Sequence, residues 1–245
     1  MKENLINYTL HLADNTLILG QRNSEWCGHG PILEQDIAIT NISLDLIGQS
    51  RSLYQYAAQL KADGSTEDSL AYLRTEREFK NCLLVEQLNG DWAQTMLRQF
   101  LFSSYQFYLY NYLQSNSDKT IAAIAEKSLK EVSYHLRWSS EWVIRLGDGT
   151  EESRNRMMTA IDELWRYTGE LFIASPYETE LGIDLTSLKT EWDKKVNAVM
   201  EEATLPVPEK VFMQTGGKNG THTEQLGYIL ADLQYMQRAY PGCEW

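Results

Sequence analysis

Five prolines punctuate this chain, and none of them falls inside a long periodic hydrophobic stretch. They stand at Pro31, Pro176, Pro206, Pro208 and Pro241. Proline lacks a backbone N–H and clashes with the preceding helical turn, so helix interiors exclude it. The long tracts it avoids are therefore free to run as helices. No run of alternating β-branched residues appears, and no hairpin flanked by strand-like segments. The sequence predicts an all-α chain.

A first helix is expected from about Glu3 to Gln21, followed by the turn "SEWCGHGP". Pro31 then opens a long helix through about Leu60, with Ile37, Leu44, Leu46, Ile47 and Leu53 apolar. A shorter helical region covers Thr66 to about Val85. Asp91 is placed to cap the next helix, which runs to about Gln114. Its second half, "FLFSSYQFYLYNYL", is apolar on nearly every side, and such a helix sits centrally. Asp118 is placed to cap the one after it, which ends at "LGDGT". Asp148 with Glu151 has the spacing of a capping box for "TEESRNRMMTAIDELWRYTGELFI". Further helices are expected over Ser187–Ala203 and Thr223–Ala239. Several antiparallel helices with no internal repeat and no long linker imply a bundle, read as one domain over residues 1–245.

Composition narrows the function. Among 245 residues, 34 Asp and Glu outnumber 22 Lys and Arg, for a net charge of −12. A nucleic acid or an anionic membrane surface is a poor partner for such a field. No apolar run approaches the roughly 18 residues that span a bilayer. Cys27, Cys82 and Cys243 lack CxxC spacing, which reads as reduced thiols in a cytoplasmic protein.

The stretch "SLKEVSYHLRW" puts Glu131 and His135 on one helix and raises a metal hypothesis. A bundle that holds two irons needs Glu-x-x-His on two helices and a carboxylate on each of two others. Spacing i, i+3 matters because it brings both side chains to one metal pair. The residues three before His11, His29, His135 and His222 are Tyr8, Trp26, Val132 and Asn219, so no such motif exists. Glu131 and His135 are instead i, i+4, flanking a stripe of Ile121, Ala125, Val132, Leu136, Ser139 and Val143. The pair reads as polar groups satisfied inside a bundle, with a surface pair or metal ligation as alternatives.

Asp45 lies between Leu44 and Leu46, and a buried carboxylate wants a partner. "RTEREF" offers Arg74, Glu76, Arg77 and Glu78. The expectation is a buried polar cluster of Asp45, Glu76, Glu131 and His135 where a di-iron protein keeps its metal. No GxSxG, phosphate loop or HExxH is present, and no catalytic residue is assigned. The aromatic surplus reads as core or subunit interface. "TGGKNGTHTEQLG" stands apart. Thr215, Gly216, Gly217, Lys218 and His222 read either as a solvated loop or as a contact for a partner chain or an anionic ligand.

Long strings along the chain carry a resemblance: "EWCGHGPILEQDIAITNISLDLIGQSR", "LLVEQLNGDWAQT", "KEVSYHLRWS", "LWRYTGELF", "TGGKNGTHTEQLG" and "MQRAYPGCEW". In these it resembles the C subunits of bacterial phenylacetyl-CoA 1,2-epoxidases, over essentially its full length. The resemblance implies a ferritin-like antiparallel helical bundle with extra helices. It also implies a non-catalytic scaffold beside a catalytic A subunit, which holds the di-iron pair and is supplied with NADPH electrons through a reductase. No cofactor would be bound by this chain. A contact with phenylacetyl-CoA at the shared interface stays open, and the chain alone is expected to form a homodimer. Two other readings are an oxidase with unorthodox ligands (Glu131, His135, Asp45, Glu76) and an acyl-CoA-binding module in which Lys218 or arginines meet the CoA phosphates.

Overall fold

A computed structural model describes residues 2–243. Its helices are α1 (Lys2–Ser24), α2 (Leu33–Lys61), α3 (Glu67–Tyr72), α4 (Leu83–Glu86), α5 (Trp92–Leu113), α6 (Lys119–Gly147), α7 (Glu151–Leu164), α8 (Pro176–Glu180), α9 (Leu185–Glu202) and α10 (Glu224–Ala239). No strand occurs among the described residues. The all-α helical-bundle class expected from the sequence is the class that forms. No helix among the described residues is long and apolar enough to cross a membrane.

The chain gathers into two compact units. One takes the chain up to Gln87, Ala174–Ile183 and the chain from Thr215 onward; the other takes Leu88–Ile173 and Asp184–Gln214. In the first unit, α1 and α2 run antiparallel. Asp14 meets Tyr54, while a Cβ on Gly20 would touch Leu46 and Ile47, so α2 retreats as α1 advances. Almost every residue of α1 from Ile6 to Asn23 is buried, and the helix packs on α2, α4, α8 and α10. Its buried face is unusually polar, carrying Thr9, His11, Asp14, Asn15 and Thr16.

In the second unit, α5 packs on α6, α7 and α9. As its apolar second half predicts, α5 is buried along most of its length. Arg98, with no exposed surface, is also on this helix and donates to Asn89 Oδ1. The stripe Ile121, Ala125, Val132, Leu136, Ser139 and Val143 of α6 is buried, as expected. Trp92 meets Trp138 and Trp142 edge-on, and Trp192 donates from Nε1 to Leu101 O at 2.9 Å. Gly147 ends α6 against α9, where a Cβ would lie 2.4 Å from Ala203 O.

Asp91 and Asp118 cap α5 and α6 as predicted, accepting from Gln94 N and from Thr120 N and Ile121 N. The cap of α7 differs from expectation. Thr150, not Asp148, takes the role, in a reciprocal box with Ser153. The expected helix through Ile173 stops at Leu164 and continues as 3-10 turns, where Phe172 packs edge-on against Tyr105 and Trp192. The helical region expected over 66–85 is made of α3, a 3-10 turn at Glu76–Glu78 and α4, joined by irregular backbone.

Candidate functional site

That broken segment, between Tyr72 and Gln87, organises the polar heart of the first unit. Phe79, Asn81 and Cys82 are fully buried, yet most of their backbone groups lie outside regular helix. Buried peptide groups need partners from somewhere. Side chains at positions 11, 14, 15 and 22 of α1, which share one helical face, supply them. Asp14 Oδ2 accepts from Lys80 N at 2.7 Å, and Asn15 Oδ1 accepts from Cys82 N at 2.8 Å. His11 Nδ1 meets Lys80 O at 2.7 Å, and Arg22 Nε donates to Glu86 O at 3.1 Å. From the other side, Gln234 Nε2 donates to Ala71 O and Arg74 O.

Three buried ionic knots tie this frame. In the first, Arg74 donates to both carboxylate oxygens of Asp14 and stacks 4.2 Å over the Phe79 ring. Tyr54 donates to Asp14 at 2.5 Å. Burial alone would weaken the Arg74 charge, but Asp14 and Tyr54 outweigh it and hold the guanidinium protonated. Burial, and then Asp14, push the Tyr54 phenol well above its usual range.

In the second knot, Lys218 Nζ donates to both oxygens of Glu178, at 3.1 and 3.0 Å. Ser175 adds its amide and hydroxyl, each at 2.9 Å. Burial pushes the Glu178 carboxyl up, but His11, Lys218 and Ser175 bring it below the ordinary value. Burial lowers His11 itself to about 4, so its imidazole is neutral at pH 7. At 3.9 Å from Glu178 it lies beyond hydrogen-bond reach, and at neutral pH Lys218 is the cation of this knot.

The third knot centres on Glu86, which has no exposed surface. Its Oε2 accepts from Asn81 Nδ2 and His222 Nδ1, both at 2.8 Å. Its Oε1 accepts from the amide and hydroxyl of Thr223, at 2.7 and 2.8 Å. Thr223 is the N-cap residue of α10. Glu86 thus places negative charge at the start of a helix, where the exposed peptide N–H groups favour it.

These contacts place the residues singled out in the sequence. Thr215 is exposed, but Lys218 is 2% exposed and paired, so it is not the free cation that the loop promised. Gly216, at φ 140°, and Gly217 bring the backbone against the frame, and a Cβ on Gly217 would lie 2.3 Å from Asn81 O. His222 is half-buried, with its side chain enclosed in the Glu86 knot. Glu76 lies on the exposed 3-10 turn and corrects the expectation of a buried cluster at that position. It lines an open groove instead. One part, of about 440 Å³, is bordered by Glu76, Arg77, Gly220 and Thr221–Glu224; the other, of about 420 Å³, by Leu230, Gln234, Tyr235 and Arg238. Asp45 is half-buried on α2. In the second unit, Glu131 is half-buried and His135 fully buried on α6.

Arg74 is visible in the sequence as a candidate partner for a carboxylate, but Asp14, Glu86 and Glu178 do not stand out there. The signal available for the first is "HLADN", where His11, Asp14 and Asn15 interrupt an apolar run at i, i+3, i+4.

A family model described as phenylacetic acid catabolic protein matches residues 1–245. The chain belongs to the phenylacetic acid catabolic protein family. It is also 48% identical to an Escherichia coli (strain K12) protein named as the C subunit of 1,2-phenylacetyl-CoA epoxidase, over 98% of this chain and 99% of that protein. The resemblance read from the quoted strings is therefore upheld.

Among the described residues no group of three or more His, Cys, Asp or Glu side chains gathers as a metal site. The buried carboxylates of the first unit, Asp14, Glu86 and Glu178, face cations, amides and hydroxyls.

Proposed function

We propose that this chain is the non-catalytic structural subunit of a multicomponent phenylacetyl-CoA 1,2-epoxidase. It supports a companion catalytic subunit that carries the di-iron pair. The observation that carries this reading is the saturation of the buried carboxylates of the first unit. Asp14 accepts from Arg74, Tyr54 and the Lys80 amide, and Glu86 from Asn81, His222 and Thr223. A carboxylate so engaged has its charge balanced and few lone pairs left for iron. What such a lattice supplies is a rigid frame, since fully satisfied buried networks specify one arrangement.

The full-length relation to a protein named as an epoxidase subunit supports the same assignment. The acyl-CoA-binding reading loses one of its proposed anchors, because Lys218 is committed to Glu178. Three free cysteines suit a reducing cytoplasm. The deciding experiment expresses the chain alone and together with its companion catalytic subunit, then measures bound iron and epoxidation of phenylacetyl-CoA. Iron and turnover are expected only where the companion is present. Stoichiometric iron or turnover in the chain alone overturns the reading.

A further inference from the structure

Of the two Asn-Gly pairs in the chain, Asn89–Gly90 and Asn219–Gly220, the second lies on the strap that the Glu178 and Glu86 knots hold down. An asparagine before glycine readily loses its side-chain amide, because glycine puts no side chain in the way of its own nitrogen. The Gly220 nitrogen would attack Asn219 Cγ, forming an N–C bond as the Cγ–Nδ2 bond breaks. The departing nitrogen takes the Gly220 amide proton and leaves as ammonia. Water then opens the cyclic imide at either carbonyl, giving aspartate or isoaspartate. No oxidant or reductant is consumed.

Asn219 is exposed, so water reaches it. The closed backbone nevertheless opposes the attack. Asn219 ends the 3-10 turn Gly217–Asn219, and Gly220 N donates to Gly217 O at 3.0 Å. The proton that the nucleophile must surrender is thus engaged. In a 3-10 turn ψ stays near about −20 to −30°, which keeps the following nitrogen away from Cγ. Asn219 N and Thr221 N both donate to Gly216 O, at 2.9 and 3.0 Å, and hold the turn from each side. Reaction requires this turn to open.

Both flanks resist opening. Lys218 Nζ is held by Glu178, and Lys218 O accepts from the Tyr177 hydroxyl at 3.1 Å. Beyond the turn, His222 meets Glu86 and Phe79 O, and Thr223 donates to Glu86. Gly217 and Gly220 lie flush on neighbouring backbone. A Cβ on the first would lie 2.3 Å from Asn81 O, and on the second 2.3 Å from Arg77 O. These are two fixed seats with only Lys218 and Asn219 between them. An isoaspartate inserts one methylene into the main chain at that point. The lengthened turn no longer fits both seats.

We propose that Asn219 is a deamidation site latched by the strap: the closed knots suppress the reaction, and isoaspartate, once formed, keeps the strap open. This goes beyond the structural-subunit reading and does not depend on it, since it rests on the Asn-Gly pair and the strap contacts alone.

The test follows deamidation of the full chain at constant neutral pH by peptide mapping and isoaspartate content. Asn219 in the folded wild type is expected to react at least about 100-fold more slowly than in a synthetic peptide of residues 214–224. His222→Gln loosens one flank, and is expected to speed Asn219 by at least about tenfold while leaving Asn89 unchanged. Asn89 lies in the second unit, where its Oδ1 accepts from Arg98, so it reports global unfolding. The isoaspartyl-219 protein is expected to lose amide-exchange protection over residues 216–223. Asn219→Asp, which adds the charge without the methylene, is expected to keep it. A folded-state rate equal to that of the peptide overturns the proposal. So does a His222→Gln rate equal to wild type, or one matched by an equal rise at Asn89. A strap still protected in the isoaspartyl protein, or lost in Asn219→Asp as well, overturns it too. Iron content and turnover, by contrast, decide the structural-subunit reading.

Discussion

His222 meets the Glu86 carboxylate through Nδ1 at 2.8 Å and the Phe79 carbonyl through Nε2 at 3.0 Å. Both partners are acceptors, so the ring serves both only when both nitrogens carry protons. Burial lowers its pKa, but the Glu86 hydrogen bond and charge outweigh burial and raise it above 6.5. A histidine raised in the folded state stabilises fully below its unfolded value and loses that contribution as pH rises through the folded value. Stability should therefore fall from about pH 6.5 upward, with the loop at 215–223 opening first. His222→Gln should cost about 1.5–3 kcal/mol at pH 6 and flatten this alkaline slope. Urea midpoints and amide exchange of the loop against pH check both outcomes.

His11 gives the opposite sign. Its folded value of about 4 lies below the unfolded 6.5, because the buried ring resists charge. The unfolded chain then binds more protons between these values, and stability falls as pH drops from 6.5 towards 4. This one group contributes on the order of 3 kcal/mol to the loss. Replacing it as His11→Asn should shallow the acid limb and leave the alkaline limb unchanged. Urea titrations of wild type and variant between pH 4 and 9 separate the two histidines.

Gly217 carries a prediction about the loop as a strut. A Cβ there would lie 2.3 Å from Asn81 O and 3.1 Å from Leu83 N, both backbone atoms with no room to yield. Gly217→Ala should lower stability by about 2 kcal/mol or more. The substitution Thr215→Ala, on an exposed neighbour, should change it by no more than about 0.5 kcal/mol. A solvated, unattached loop would tolerate both, so the contrast in urea midpoints is the measurement.

Much of the fold is legible locally, and the reasons for the exceptions are particular. Asp91 and Asp118 cap their helices because capping acts over two or three residues, within reach of sequence reading. Asp148 fails as a cap because Thr150 and Ser153 reach one another's backbone N–H groups nearer the helix start. Helix α7 ends early at Leu164, and Phe172 beyond it packs on Trp192, a contact that periodicity does not encode. The ionic knots are the hardest to foresee. Asp14 and Arg74 are 60 residues apart, and Glu86 and His222 are 136 apart. The residues are each visible; their pairings belong to tertiary structure. Lys218 shows the cost most plainly, since a lysine between glycines reads as exposed until Glu178 is brought beside it.

The Asp14–Arg74 pair should behave as a coupled unit rather than as two separate stabilising residues. Asp14→Leu leaves a guanidinium that is 8% exposed without its counter-charge, and removes the acceptor for the Lys80 amide. Breaking one side of a buried pair costs about 3–5 kcal/mol, because the remaining charge stays in a low-dielectric site. Arg74→Met should cost less, since Tyr54 and the Lys80 amide still face Asp14 and methionine can pack against Phe79. With both replaced, no charge is stranded, so the double variant should lose less than the two single losses added together. Urea denaturation of all four proteins gives the coupling directly. A strictly additive result would mean that Asp14 and Arg74 act independently, and that the lattice is held by the backbone contacts of Asp14 alone.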